Sequence, residues 1–323
     1  MGSYVFCLSH RGGCVVIVDL FAGPGGWSEG LRMLSPELHA TEIGLEWDAA
    51  ACETRAAAGH ATIRTDIAAY PLEQFSDRVT GLIASPPCQD FSLAGKRAGI
   101  EGERGQLIRE VLRWSEGLRP EWIACEQVPP ALPVWRDYET ELRKLGYSTW
   151  SGVLNAADYG VPQTRRRAIL VASRMGPIGP PNPTHDRHPE PSLFADELRP
   201  WVSMLSAINK NYMLRHDSAR HDRPRNKEGK QPVRDKNGDD FYFRMNPARP
   251  CWTVTTNAGN WKWETGDGDK ALTIEETLTL QSFPKNYPLQ GTKKKQFQQV
   301  GNAVPPRLAA HILARVTGKA FNP

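Results

Sequence analysis

Val15-Val16-Ile17-Val18-Asp19-Leu20-Phe21-Ala22-Gly23-Pro24-Gly25-Gly26 decides the fold. Val15 to Leu20 is an apolar, mostly β-branched run, the pattern of a central parallel strand covered on both faces. A glycine-rich turn follows at once, and Trp27 to Leu34 is amphipathic. Strand, glycine turn and helix make a nucleotide-binding opening. The spacing is G-x-G-G, with Ser28 where a dinucleotide fingerprint wants Gly or Ala. That disfavours a pyrophosphate and suits a smaller nucleoside ligand approached closely by backbone.

Working outward, two further strands end in acids. Glu42 to Leu45 runs into Glu46-Trp47, and a carboxylate there can bind ribose hydroxyls or simply be solvated. Ala61 to Arg64 runs into Thr65-Asp66-Ile67, where Asp66 suits an adenine amino group or caps the next segment.

The second centre is Gly81-Leu82-Ile83-Ala84 followed by Ser85-Pro86-Pro87-Cys88-Gln89-Asp90-Phe91-Ser92. Neither proline can donate a ladder hydrogen bond, so the strand stops and Cys88 rides on a loop past its carboxyl end. Ligands bind at that end of an open parallel sheet. A lone cysteine is more often a buried structural residue. Here, however, Trp122 to Cys125 forms the next strand and delivers Glu126, which adjacent parallel strands bring to the same crevice.

Gly95-Lys96-Arg97-Ala98-Gly99 and Arg104-Gly105 read as a flexible basic loop, and Gln106 to Leu118 has helical spacing. Asp137 to Leu145 reads as a helix and Tyr147 to Leu154 as a strand. Gln163-Thr164-Arg165-Arg166-Arg167 leads into the strand Ala168 to Ala172, and alternation sends Arg165 and Arg167 to the same side. Two arginines in phase suit an anion or a carbonyl.

The 323 residues fit two lobes, and 40% hydrophobic with 24% charged residues is a globular composition. Composition shifts at Met175, and Gly176 to Pro191 is rich in Pro and Gly. Arg215 to Lys236 holds eight Lys/Arg against four acids, a net +4 equal to the excess of the whole chain. Such a stretch packs no core. It is either disordered or a nucleic-acid-contacting surface. Thr273 and Glu276 suit a capping box opening a helix over Ile274 to Gln281, and Gly318 suits the stop of the last helix.

Cysteines at 7, 14, 52, 88, 125 and 251 show no C-x-x-C pair, which argues against a zinc or redox motif and for a reduced, cytoplasmic protein. No apolar run spans a bilayer, and residues 1–13 lack the basic and apolar regions of a signal peptide. No internal repeat is found.

One chemistry needs a Cys, a carboxyl group and arginines around a flat ring. C5 of cytosine is too electron-poor to take a methyl group unaided. Addition of a thiolate at C6 makes C5 nucleophilic, while charge building on the ring is balanced near N3 and O2.

The sequence resembles the DNA cytosine-5 methyltransferase family of prokaryotic or phage type. The resemblance rests on Asp19-Leu20-Phe21-Ala22-Gly23 with Gly25-Gly26, Pro86-Pro87-Cys88-Gln89 with Phe91-Ser92, and Gly95-Lys96-Arg97. It continues through Glu126-x-Val128, Gln163-x-Arg165-x-Arg167, Arg249-Pro250 with Thr253, Leu280-Gln281-x-Phe283-Pro284 and Gly301-Asn302-Ala303-Val304-Pro305-Pro306. It covers the chain apart from residues 1–13 and the insert.

The resemblance implies an α/β, Rossmann-like S-adenosylmethionine-dependent methyltransferase sheet with a small inserted target-recognition domain. The expected division is 1–13 as an N-terminal extension, 14–175 and 291–323 as the catalytic domain, and 176–290 as the recognition domain. Cys88 would be the nucleophile, Glu126 would contact N3 and the amino group, and Arg167, helped by Arg165, would address O2. Phe21, Ala22, Gly23, Gly25, Gly26, Glu46, Trp47, Asp66, Ile67, Leu107, Asn302 and Val304 would line the S-adenosylmethionine site, with S-adenosylhomocysteine as product. Pro86, Gln89, Ser92, Gln163, Arg223 and Arg225 would contact substrate.

No metal is expected. The expected partner is double-stranded DNA, the expected state a monomer without membrane attachment, and a separately acting cognate restriction endonuclease is compatible with this reading. Gln127 departs from the Asn usual after the catalytic Glu, and Pro24 from a usual aliphatic residue.

Three alternatives stand beside this reading. A non-catalytic relative would lose Cys88 or Glu126. The tRNA-methylating branch of the same family lacks a long recognition domain. A dehydrogenase would want the missing third glycine.

Overall fold

The computed structural model describes residues 15–75, 78–88, 91, 102, 105–189, 197–216 and 243–322. It divides into two compact units. The first comprises the chain up to Leu154, Arg166–Asn182 and the chain from Val304 onward; the second comprises Asn155–Arg165 and Pro183–Ala303.

The first unit opens with β1 (Val15–Leu20), α1 (Gly26–Leu34) and α2 (Pro36–His39). It continues with β2 (Glu42–Glu46), α3 (Ala49–Ala57), β3 (Thr62–Arg64), β4 (Arg78–Ala84), α4 (Glu110–Leu118), β5 (Trp122–Gln127), α5 (Leu132–Lys144) and β6 (Ser148–Asn155), the last residue of which opens the second unit. The second unit contributes β7 (Gln163–Thr164), and the chain returns in β8 (Arg166–Ser173).

The sheet order is β3-β2-β1-β4-β5-β8-β6. Strands β3, β2, β1, β4 and β5 are parallel, and β8 runs antiparallel to β5. The chain winds one way from β1 to β3 and the other way from β4 to β5. The carboxyl ends of β1 and β4 therefore form a topological switch point, where a ligand crevice belongs.

The β-branched run of β1 explains its central place. Val16, Val18 and Leu20 enter a core shared with Leu82, Ile123, Leu170, Trp114 and Trp135. Ile17 and Asp19, which alternate with them, are fully buried too, so the strand is covered on both faces.

Gly26 and Gly30 let α1 approach the C-terminal helix α9 (Pro306–Thr317). A Cβ on Gly30 would lie 2.6 Å from the Ala309 Cβ and 3.0 Å from backbone atoms of Ala310 and Pro306. Gly30→Ala is expected to destabilise the protein by roughly 1–3 kcal/mol through overpacking. A denaturant midpoint that does not move would show that the helices part freely.

The second unit holds two-stranded pairs of β9 (His185–Asp186) with β10 (Arg199–Pro200), and of β7 with β13 (Cys251–Trp252). Helix α6 (Met204–Ile208) precedes a four-stranded antiparallel sheet in the order β12-β11-β14-β15. Its strands are β11 (Met213–His216), β12 (Phe243–Met245), β14 (Lys262–Thr265) and β15 (Gly268–Ala271). Helices α7 (Ile274–Leu280) and α8 (Lys293–Asn302) follow. The core is Met204, Leu214, Met245, Val254, Trp261, Trp263, Leu280 and Phe297.

Thr273 and Glu276 do form the capping box of α7. Burial pushes the Glu276 carboxyl up. Hydrogen bonds from Lys210, the Thr273 amide and the Trp263 indole outweigh it and hold the group below its ordinary value. A folded-state value below the unfolded one stabilises at neutral pH and is lost as pH falls through it. Glu276→Gln should therefore cost on the order of 1 kcal/mol at pH 7. The gap between variant and wild type should close below the ordinary carboxylate range. A gap independent of pH would refute the assignment.

The division departs from the expected boundaries at 176 and 290. Residues 155–165 join the second unit because β7 pairs with β13, Gln163 opposite Cys251 and Thr164 opposite Trp252. Residues up to 182 stay with the first unit, where β8 pairs with β5. Helix α8 stays with the second unit, since Phe297 belongs to its core. Among the described residues no helix is long and apolar enough to cross a membrane.

Candidate active site

Residue Ala84 ends β4 opposite Cys125, so Ser85 continues one step further, at the level of Glu126. Past it, Pro86, Pro87 and half-buried Cys88 form the loop expected from the two prolines. Two side chains fix this loop. The Trp27 indole donates to the Ser85 hydroxyl at 2.8 Å. The Gln127 amide donates to the Pro86 carbonyl at 2.9 Å and accepts from the Val128 amide at 2.7 Å. Gln127 is thus a tie between β5 and the cysteine loop. The motifs pointed to neither Trp27 nor Ser85; the link depends on a contact 58 residues apart in sequence.

Glu126 is nearly buried at the carboxyl end of β5, and Arg167 Nε lies 2.7 Å from its Oε1. Antiparallel pairing of β5 with β8 makes this meeting possible: Gln127 faces Ala168, the residue after Arg167. The other described cysteines are poor nucleophiles. Burial pushes the thiols of Cys125 and Cys251 far up. Burial, then Glu46, pushes Cys52 up to about 11.

Arg165 does not share a strand with Arg167, a correction to the in-phase reading. The strand breaks between β7 and β8, and Arg165 falls in the second unit. It is fully buried, and its Nη1 donates to the carbonyls of Val254 and Gly301, both at 3.1 Å. Gln163, expected to contact substrate, lies in the interior of the second unit. It is fully buried, donating to the Leu280 carbonyl and Gln281 side chain and accepting from the Val254 amide at 2.7 Å. Both residues hold the second unit's own backbone.

At the switch point, Glu46 ends β2 and its carboxylate gathers three amides. Gly23 donates to Oε2 at 2.8 Å; Trp47 and Asp48 each donate to Oε1 at 2.7 Å. Phe21, Gly23 and Gly25 have positive φ of 59°, 54° and 100°. Phe21 is the costly one, since an L side chain rarely adopts that conformation, and such strain clusters at ligand sites.

Trp47 leaves 69% of its surface exposed beside this turn. A bare turn, an exposed indole and a carboxylate with spare lone pairs fit a nucleoside. Ala22 is buried, and Gly26 is packed against the Val304 carbonyl, where a Cβ would come within 2.2 Å. Asp66 is exposed, with Oδ1 accepting from the Ala68 amide at 3.0 Å, the local cap considered for it. Ile67 is buried and Leu107 half-buried in a 3-10 turn before α4. Exposed Asn302 belongs to the second unit and buried Val304 to the first. Gln89, Ser92, Arg223 and Arg225 lie outside the described residues.

The family model for C-5 cytosine-specific DNA methylase matches residues 15–318. The chain belongs to that family. The methylase is 30% identical to the Type II methyltransferase M1.HphI of Haemophilus parahaemolyticus, over 97% of this chain and 88% of the relative. It is 29% identical to the Type II methyltransferase M.NgoFVII of Neisseria gonorrhoeae, over 90% and 83%. Its fold is similar to that of the S. pombe Dnmt2 methyltransferase, with a TM-score of 0.63, 17% identity, and coverage of 92% of this chain and 97% of that one. The methylase is therefore an S-adenosylmethionine-dependent DNA cytosine methyltransferase, with the Rossmann-like α/β fold expected for it.

Proposed function

We propose that this enzyme methylates C5 of a cytosine flipped from a specific double-stranded DNA site, through a covalent bond from Cys88 to C6. The observation that carries the proposal is the Arg167–Glu126 ion pair, one strand from the Cys88 loop. Cys88 Sγ, as thiolate, adds to C6, and the electron pair of the C5–C6 bond becomes available at C5. Glu126 holds the N3 edge, and Arg167 fixes the carboxylate and faces the O2 side. S-adenosylmethionine, held by Phe21, Gly23, Glu46 and Trp47, supplies the methyl group that C5 accepts. The C5 proton then leaves to a base, its electron pair restores the C5–C6 bond, and the thiolate departs. Arg165 and Gln163 act as positioning residues.

The division of labour assigns sequence reading to the second unit and its basic stretch, and the Type II relatives support a role in restriction and modification. Bisulfite sequencing of plasmid from a host expressing the chain should show one methylated motif. Conversion patterns identical to the empty host, with methylated cytosine in tRNA instead, would overturn the DNA assignment.

Phosphate contacts by Arg223 and Arg225 should make DNA affinity fall steeply with salt. Replacing both by alanine should flatten the slope of log affinity against log salt by about 2. An unchanged slope would place the phosphate contacts elsewhere.

A further inference from the structure

We propose that His39, His60 and Glu42 form a binding site for one zinc-class divalent ion, at the opposite end of the sheet from the reaction. One ligand atom from each lies within 4.8 Å of the others. His39 Nε2 and His60 Nδ1 face each other at 2.8 Å. Zinc sits about 2.0–2.1 Å from an imidazole nitrogen, so tetrahedral ligation asks these two to part by only about 0.5 Å.

A second, independent observation points the same way. Glu42 is buried, and its Oε2 has no hydrogen-bond partner, while Oε1 accepts from Arg55 at 2.7 Å and from Ser28 at 3.1 Å. A buried carboxylate oxygen without a partner, on a residue that shares a cluster with two imidazoles, is a costly arrangement that a cation would satisfy.

The outer shell is also in place. His60 Nε2 lies 3.3 Å from Glu29 Oε1, the carboxylate–histidine pairing that orients a metal-bound imidazole. Arg32 competes for the site. Its Nη2 lies 3.4 Å from His39 Nε2 and 3.3 Å from His60 Nδ1. Its Nη1 also pairs with Glu29 and its Nη2 donates to the Ala58 carbonyl at 2.7 Å, so ligation requires the guanidinium to give up the two imidazoles, toward the solvent that its 36% exposed side chain already meets.

Glu42 begins β2 and Glu46 ends it, about 13 Å apart at 3.3 Å per residue. The ion would therefore staple α1, α2 and the starts of β2 and β3, leaving the chemistry unaffected.

The test is a cobalt(II) titration of the chelator-treated full chain, with visible spectroscopy, calorimetry and thermal unfolding. One equivalent should bind, with tetrahedral d–d bands, no thiolate-to-cobalt band and a rise in Tm that grows with free metal. His39→Gln should abolish binding, and Glu29→Gln should weaken it by roughly 10–100-fold. Methyl transfer should be unchanged in His39→Gln. An anomalous difference peak between His39 and His60 in cobalt-soaked wild-type crystals locates the ion without any variant. No binding by the wild type, a thiolate band, binding that survives His39→Gln, or a peak elsewhere overturns the proposal.

Discussion

DNA carrying 5-fluorocytosine in the recognition site is expected to form a denaturation-resistant complex with this enzyme, and Cys88→Ala is expected to form none. The target base cannot be reached inside a duplex and is extruded at a cost of roughly a few kcal/mol. Once Cys88 has added to C6 and C5 has taken the methyl group, release requires loss of the C5 proton. Fluorine in that place cannot leave as a cation, so the thioether persists. The trap should need S-adenosylmethionine, because without methylation the thiolate simply departs. Peptide mapping should place the adduct on Cys88. Cys125 and Cys251 are buried, and their thiols are held in the protonated form. An adduct on either, or a complex that survives Cys88→Ala, would sink the mechanism.

Glu126→Gln should slow methylation by roughly 10²–10⁴-fold, the range for loss of an acid–base group in the transition state. Glutamine keeps the size and one acceptor oxygen but cannot share a proton with N3 or neutralise Arg167. The Arg167–Glu126 pair is nearly buried, so the variant also leaves a guanidinium without its counter-charge. Single-turnover kinetics on cognate DNA separates the two effects. The chemical step should fall steeply while the trapped adduct still maps to Cys88. A single-turnover rate within a few-fold of wild type would remove Glu126 from the chemistry.

The features legible in the sequence are those set by neighbours along the chain. The β-branched run made β1 a central strand, the prolines ended β4 before Cys88, and Thr273 with Glu276 capped α7. Local rules also misplaced some boundaries. Helix α5 starts at Leu132 rather than Asp137, because Pro133 lies in the first turn, where its missing N–H costs nothing.

What escaped is non-local. The β7–β13 ladder joins residues 163–164 to 251–252, and no periodicity announces it. The separation of Arg165 from Arg167 follows from that ladder, since β7 ends at Thr164 and the new strand starts at Arg166. The motif around Gln163 was visible, but its work on the carbonyl and amide of Leu280 and Val254 was not.

The chain crosses between its two units after Leu154, Arg165, Asn182 and Ala303. Anyone building chimeras to change the methylated motif inherits this topology. A cassette spanning 183–303 alone leaves β7 behind, and with it the strand partner of Cys251, the amide that holds Val254 and the guanidinium that caps Gly301. The transferable module is two pieces, 155–165 and 183–303, moved together. Under the proposed division of labour, a single crossover cannot move the second unit whole, because its chain segments 155–165 and 183–303 are separated by residues 166–182 of the first.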